Sequence, residues 1–427
     1  MAHEFEVTPD KRLICKITKL MTKLDFLKFA DSTINLNADD WEPGRGVLLG
    51  DKLGYFPPTN TGQLLAKLCH WVARHSTPRT TGNSTAYDVL KETENTFDDM
   101  VQKAKKAGAK SKHECALAYA WLRSNSSVLT VTHFRASVSK FFCDEYTYVN
   151  VLDCCAGWGD RLTGFLGSKS VKEIVLIEPR KDGCEGYEEQ FKIVAEGVVS
   201  EDVRTHYVIK EDGTRIEIKQ RILRGHVHGR EVTLRIYNGR AEDVVLHLLE
   251  TEKGKFDLAI TSPPYFNTEL YGEDDNDTAG QCHKTYEDEP NLWQQKFMND
   301  ILIDKVAELL APQARLVLNI DGISICEPSI AHAAKNASLK VEGTYGLAKG
   351  SGHGKGVSKR PAQFEPIYVW QKPAAPIDRT QAGELQQRTE PHTPEHPESA
   401  AEEAAARVAA APSCARKPPV PPVLETP

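Results

Sequence analysis

Apolar residues in the first third of the chain recur at helical spacing. Leu13, Ile17, Leu20, Met21, Leu24 and Leu27 fall three or four apart and predict one amphipathic helix. Residues 62–75, GQLLAKLCHWVARH, repeat the pattern and stop before Thr77-Pro78, and further helices are predicted over 84–106 and 112–123. Between the first two, residues 42–62 are punctuated by Gly and Pro and read as loop. From Tyr148 the period shortens. Six apolar runs, at 149–155, 173–179, 231–239, 256–264, 314–321 and 365–372, read as strands. Helical patterns separate several of them, at 162–166, 184–196, 241–249 and 292–310. This alternation predicts an α/β domain with a parallel sheet covered by helices on both faces. Residues 204–230 break the rhythm, with two strand-like runs about Glu211-Asp212-Gly213, and predict an inserted β-hairpin.

The pattern ends before the chain does. Residues 373–427 hold 11 of the 24 prolines and no aromatic residue. Such a segment cannot bury enough apolar surface to offset its chain entropy, so it is expected to be a disordered tail. The expected organisation is an N-terminal helical region (1–130), an α/β domain (131–372, with the insert at 204–230) and the tail. Within the tail, Pro418-Pro419-Val420-Pro421-Pro422 favours polyproline II and is either inert or a docking peptide. It and the N-terminal region are the candidate surfaces for a protein partner.

Charge and cysteine content narrow the class. The chain of 427 residues carries 53 Lys+Arg against 60 Asp+Glu, a net charge of −7, which argues against a uniformly basic nucleic-acid binder. Ten cysteines without a C-x-x-C pair read as reduced thiols, and His and Cys spacings suggest no metal site. Neither a membrane span nor a secretory signal is evident, so an intracellular protein, nuclear or cytoplasmic, is expected.

Candidate chemistry begins after the first predicted strand. Asp153-Cys154-Cys155-Ala156-Gly157-Trp158-Gly159 leads into a helix, and Gly157 and Gly159 suit a tight turn that lets backbone approach a nucleoside. The next strand ends in Glu178, placed to accept hydrogen bonds from ribose hydroxyls. Asn238-Gly239-Arg240-Ala241-Glu242-Asp243 closes the third and is a candidate adenine contact. Leu162 stands where a third glycine would complete a pyrophosphate fingerprint, and no G-K-[ST] loop is present. A cofactor without phosphate fits better, and S-adenosylmethionine is the expected one.

Thr261-Ser262-Pro263-Pro264-Tyr265 closes the fourth strand, at the carboxyl edge where α/β sheets bind ligands. D-x-x-x-G-x-G followed by S-P-P-Y resembles the amino-methyltransferases, which methylate the exocyclic nitrogen of adenine or cytosine in nucleic acid. The resemblance covers residues 131–372. HFRASVSKFF, VLDCCAGWGDRL and TSPPYFNTELYG further resemble a group of phage- and giant-virus-type methyltransferases. The resemblance implies a Rossmann-like class I methyltransferase fold and a division of labour. Asp153, Ala156, Gly157, Gly159, Glu178, Glu242 and Asp243 would hold the cofactor, and Arg135 would pair with its carboxylate. The Ser262 side chain and the Pro263 carbonyl would accept hydrogen bonds from the target amine. Pro264 would restrict the loop, and Tyr265 would stack on the base. Cys155 stands where the family often has Phe.

Several targets fit the motif: adenine or cytosine in DNA, an RNA adenosine near a 5′ cap, or a protein glutamine amide, for which Asn usually replaces the serine. A catalytically silent nucleic-acid-binding partner subunit is the reading of another class. Two Lys-rich stretches, Lys103–Lys112 and Lys349–Arg360, are candidate phosphate contacts, and the acidic segment 272–280 is a candidate lid.

Overall fold

The computed structural model describes residues 5–374 apart from 39–40, 44–46, 58, 60, 72, 74–76, 78–84, 126–133, 211, 265, 267–285, 288, 321–325 and 349–363. The described residues all belong to one compact unit, Met1–Ala374. Tyr265, the acidic segment 272–280, the Lys349–Arg360 stretch and the tail from residue 375 lie outside them.

Twelve strands are described. A short antiparallel pair, β1 (Phe5–Val7) and β2 (Leu13–Cys15), stands apart from a ten-stranded sheet. The sheet contains β3 (Asp51–Phe56), β4 (Asn150–Asp153), β5 (Glu173–Glu178), β6 (Glu196–Ile209), β7 (Arg215–Val227) and β8 (Arg230–Asn238). It is completed by β9 (Phe256–Thr261), β10 (Leu310–Asn319), β11 (Lys340–Ala348) and β12 (Phe364–Gln371). Their spatial order is β3-β11-β12-β10-β9-β4-β5-β8-β7-β6. Strands β8, β5, β4, β9 and β10 run parallel, and β12 lies antiparallel between β10 and β11. The five parallel strands have the doubly wound 3-2-1-4-5 order, and the reversed last strand slots between the fifth and sixth. This is a Rossmann-like class I methyltransferase sheet. The order reverses between β4 and β9, so the ligand crevice of such a sheet lies at their carboxyl ends.

The central strands are buried on both faces, as their near-continuous apolar runs require. Ile174, Leu176, Leu258 and Ile260 pack in one apolar cluster, and Leu152, Val175, Ile177 and Ala259 in the other. Around this core the structure departs from the sequence expectations in four places. Residues 42–62 are not all loop, because Asp51–Phe56 forms edge strand β3, parallel to β11. Strand β11 was not expected either. Gly343 lets the two approach closely, since a Cβ there would lie 2.6 Å from the Asp51 carbonyl. The helix expected over 84–106 is two helices, Ala86–Glu92 and Phe97–Lys106, each opened by a Thr-x-x-Asp capping box (Thr85/Asp88 and Thr96/Asp99). The first helix begins only at Lys19, capped by Thr18, and buries Thr22, Phe26, Phe29 and Ala30. Leu20 and Leu24 of the expected apolar stripe are exposed.

The insert is an antiparallel extension of the sheet, β6 and β7, that begins at Glu196 and runs into β8. Lys219 of β7 faces Asn238, the last residue of β8, so Arg215–Ile218 and their partners continue past the carboxyl edge. At about 3.3 Å per residue the overhang is about 13 Å.

Candidate cofactor and catalytic site

Two chain segments meet at the crevice. The turn after β4 needs left-handed backbone at Gly157 (φ 61°) and Gly159 (φ 79°), conformations that glycine adopts without steric cost. Gly159 is fixed a second time, since a Cβ there would lie 2.6 Å from His70 and from Gln190. Ala156 is buried, and its N–H donates to the Ile177 carbonyl (3.1 Å), which ties the turn to β5.

Asp153 is fully buried and holds the turn from below. Its carboxylate pairs with Arg161 (Nε–Oδ2 2.6 Å) and accepts from the Cys155 N–H (3.2 Å). It also accepts from the hydroxyl of Thr261 (2.9 Å), the last residue of β9, while the Cys155 N–H lies 3.1 Å from that same hydroxyl oxygen. Arg161 in turn donates to the Cys155 carbonyl and sits 5.0 Å from the Phe134 ring. Ser262, Pro263 and Pro264 follow Thr261 directly, and the Pro264 carbonyl accepts from the Phe266 N–H at 2.8 Å. The turn after β4 and the segment after β9 are thus joined through one buried aspartate. Cys154 and Cys155 stay neutral thiols here, because burial pushes both up.

Glu178 ends β5 beside this turn and is buried. One carboxylate oxygen accepts from the Arg180 N–H (3.1 Å), the other from the Tyr187 hydroxyl (3.1 Å), which also reaches the Gly157 carbonyl. Burial pushes its carboxyl above the usual range, opposed by the Arg180 charge. Close packing explains Gly183 on the following helix, where a Cβ would come 2.9 Å from Glu178 Cγ. Trp158 is half-buried, with the Arg180 guanidinium 4.6 Å from the centre of its ring.

The third segment lies alongside. The Gly239 N–H and the Asn238 amide each donate to the Glu178 carbonyl at 3.2 Å. Glu242 is half-buried and accepts from the Tyr286 hydroxyl (2.6 Å). Asp243 is buried and paired with Arg240 (3.2 Å) and with Lys210 (3.1 Å) at the overhanging tip of the β6–β7 hairpin.

Arg135 is placed differently from its expected role. Its guanidinium donates to the backbone carbonyls of Phe56, Pro57 and Ala348, at the carboxyl ends of β3 and β11, and burial lowers its pKa. It fastens the edge of the sheet. Asp153 likewise acts through the turn it holds, since its carboxylate is enclosed. Arg161, Tyr187 and Thr261 complete the site and were not singled out from the sequence. The only local signal is Arg161 within the turn motif itself, GWGDR.

Among the described residues, no group of three or more His, Cys, Asp or Glu is arranged to hold a metal, and no helix is long and apolar enough to cross a membrane.

No family model matches the chain, and no curated protein matches it in sequence. Among solved structures it is similar to Trm1 from Pyrococcus horikoshii in complex with S-adenosyl-L-methionine, at 13% identity and a TM-score of 0.32, covering 57% of each chain. It is also similar to cofactor-bound Rv0187 from MTB, at 10% identity and a TM-score of 0.32, over 68% of this chain and 95% of that one. An rRNA methylase from Streptococcus thermophilus overlaps 57% of this chain and 99% of its own, at 10% identity and a TM-score of 0.30.

Proposed function

We propose that the chain is an S-adenosylmethionine-dependent methyltransferase acting on the exocyclic amine of adenine or cytosine in nucleic acid. The observation that carries this reading is the Thr261–Asp153 hydrogen bond of 2.9 Å, which joins the cofactor turn to the S-P-P segment across the switch point. A methyl donor and an amine acceptor must meet within near-attack distance, and these two segments are the parts of the sheet that lie side by side at its crevice.

The residues fit the cofactor. Glu178 presents a buried carboxylate, pushed up by burial, which gains from two hydroxyl donors of a ribose. The turn at Gly157–Gly159 offers backbone to the rest of the nucleoside, and residues 238–243 flank the adenine position. Bound there, the cofactor would supply an electrophilic methyl group. The protein's own task is to prepare the nitrogen. Its lone pair is delocalised into the base and must be freed by making the nitrogen tetrahedral. The Ser262 hydroxyl and the Pro263 carbonyl would accept the two N–H groups and hold that geometry, with Pro264 restricting the backbone. Tyr265 would stack on the base. The amine loses its proton after gaining the methyl, so no base is needed before attack.

The test is incubation with methyl-labelled cofactor and separate pools of DNA, RNA and capped RNA, followed by identification of the methylated nucleoside by mass spectrometry. Label on N6 of adenine or N4 of cytosine supports the proposal. Absence of label from every pool, with cofactor binding intact, favours the silent partner subunit. Label transferred to a protein glutamine instead would redirect the substrate.

A further inference from the structure

Strand β6 is the outermost strand of the sheet. Of its 14 residues, Glu196 and Ser200–Ile209 pair with β7 on one side, and among the described residues no strand pairs with the other. A free edge of that length is a template for another strand, and proteins usually blunt such edges with shortness, proline or charge. This one is neither short nor interrupted by proline. It carries Val198, Val203, Tyr207 and Ile209 at 93%, 67%, 47% and 73% exposure, far more than an apolar side chain gains from contact with its own chain.

The charges on the edge favour a single partner. Acidic residues occupy one half of the strand (Glu196, Glu201, Asp202) and basic ones the other (Arg204, His206 and, just beyond, Lys210). We propose that β6 pairs antiparallel with β6 of a second copy, about a two-fold axis through Val203, to make an isologous dimer with one continuous sheet.

Register and chemistry agree at the centre of the strand. A two-fold axis perpendicular to the sheet keeps residues of one face on that face, which requires an axis on a residue or on its equivalent by parity. With Val203 on the axis, Asp202 of one copy lies opposite Arg204 of the other, and Arg204 opposite Asp202. Within one chain these two already touch (Nε–Oδ2 2.8 Å), so the dimer closes a ring of four alternating charges. Within the straight stretch, Glu201 falls opposite Thr205 and Ser200 opposite His206. Shifting the axis to Arg204 sets that arginine against its own copy and Glu201 against Tyr207, which replaces the charge pairs at the centre with a like-charge contact. The regular ladder with β7 from Ser200 to Ile209 leaves a straight stretch for the partner, while the irregularity between Glu196 and Ser200 bounds it. Cross-strand pairs of opposite charge and of β-branched side chains are the units that stabilise such an edge.

Sedimentation equilibrium of the full-length protein over about 1–100 μM, a range that brackets an edge-mediated association, tests this directly. The mass is expected to rise to twice 47.5 kDa. Val203→Lys sets two like charges on the axis at an exposed position and should leave a monomer whose thermal midpoint matches that of wild type at concentrations low enough for both to be monomeric. Asp202→Arg should weaken the dimer by about tenfold through its two symmetric pairs, and Arg204→Asp should do the same. The decisive arm mixes those two single variants. Each is self-repelling, yet together they restore both opposite-charge pairs, so an equimolar mixture should dimerise again. A wild-type mass that stays single over the whole range overturns the proposal. So does a dimer that survives Val203→Lys, and so does a mixture that associates no more tightly than either variant alone.

Discussion

Replacing Glu178 by Gln isolates the carboxylate from its packing. The amide keeps the shape, its oxygen can accept from the Arg180 N–H, and its NH2 can donate to the Tyr187 oxygen. The Tyr187 hydroxyl proton then remains on the Gly157 carbonyl. The fold should therefore persist, while hydrogen bonds from ligand hydroxyls to a charged acceptor are lost. Such bonds are worth about 1.5–3 kcal/mol, so S-adenosylmethionine should bind about 10–150-fold more weakly by titration calorimetry. The pH dependence gives an independent reading. Burial holds the Glu178 carboxyl above its usual range, so its ionised form opposes folding at neutral pH. That cost shrinks as pH falls below the raised folded value and is gone below the ordinary carboxyl value, so Gln should not lower the thermal midpoint at neutral pH. The cofactor requires the ionised form, so its binding releases a proton when the free protein is partly protonated. Wild-type affinity should weaken as pH falls through the raised value, by at most tenfold per pH unit, and the Gln variant should show no such slope. Equal affinities for the two proteins, or parallel pH profiles, would refute the ribose assignment.

Asp153→Asn strands the buried Arg161 guanidinium, and urea unfolding should report a loss of about 3–5 kcal/mol. Ser262→Ala should lower the single-turnover rate by about 10²-fold with little change in substrate affinity. Tyr265→Ala should instead weaken base binding by about 1–3 kcal/mol, with Phe retaining most of it. Removing residues 375–427 should leave the thermal midpoint unchanged, because the last strand ends at Gln371 and Lys372 Nζ donates to the Ala307 and Leu310 carbonyls. A lower midpoint on truncation would show that the tail contributes to the fold of Met1–Ala374.

The parallel core was legible because its demands are local. A strand buried on both faces must be apolar along its length, and 173–179 and 256–264 have no other reading. Edge elements lack that constraint. Strand β3 is identified by its pairing with β11, close to 300 residues away, where Gly343 admits the Asp51 backbone. Nothing within residues 42–62 distinguishes such a strand from a Gly- and Pro-rich loop. The first helix failed for a related reason. Leu20 and Leu24 fit the period, but Phe26 and Phe29 are the side chains that find the core.

The site divides along the same line. Gly157, Gly159 and Glu178 were visible because left-handed backbone and a strand-end carboxylate leave marks in a short window. What joins the segments does not. Asp153 and Thr261 stand 108 residues apart, and their hydrogen bond exists only after β4 and β9 have become neighbours. Arg135 shows the opposite error. An arginine at a helix start is locally free to face a ligand, yet its guanidinium lies on carbonyls of β3 and β11, neither of which the local pattern revealed. Candidate ligand contacts are thus readable one window at a time. Residues that hold the motifs together are readable only from the sheet order. Thr261 belongs to the second kind, and through Asp153 it couples the position of the S-P-P segment to that of the Gly157–Gly159 turn.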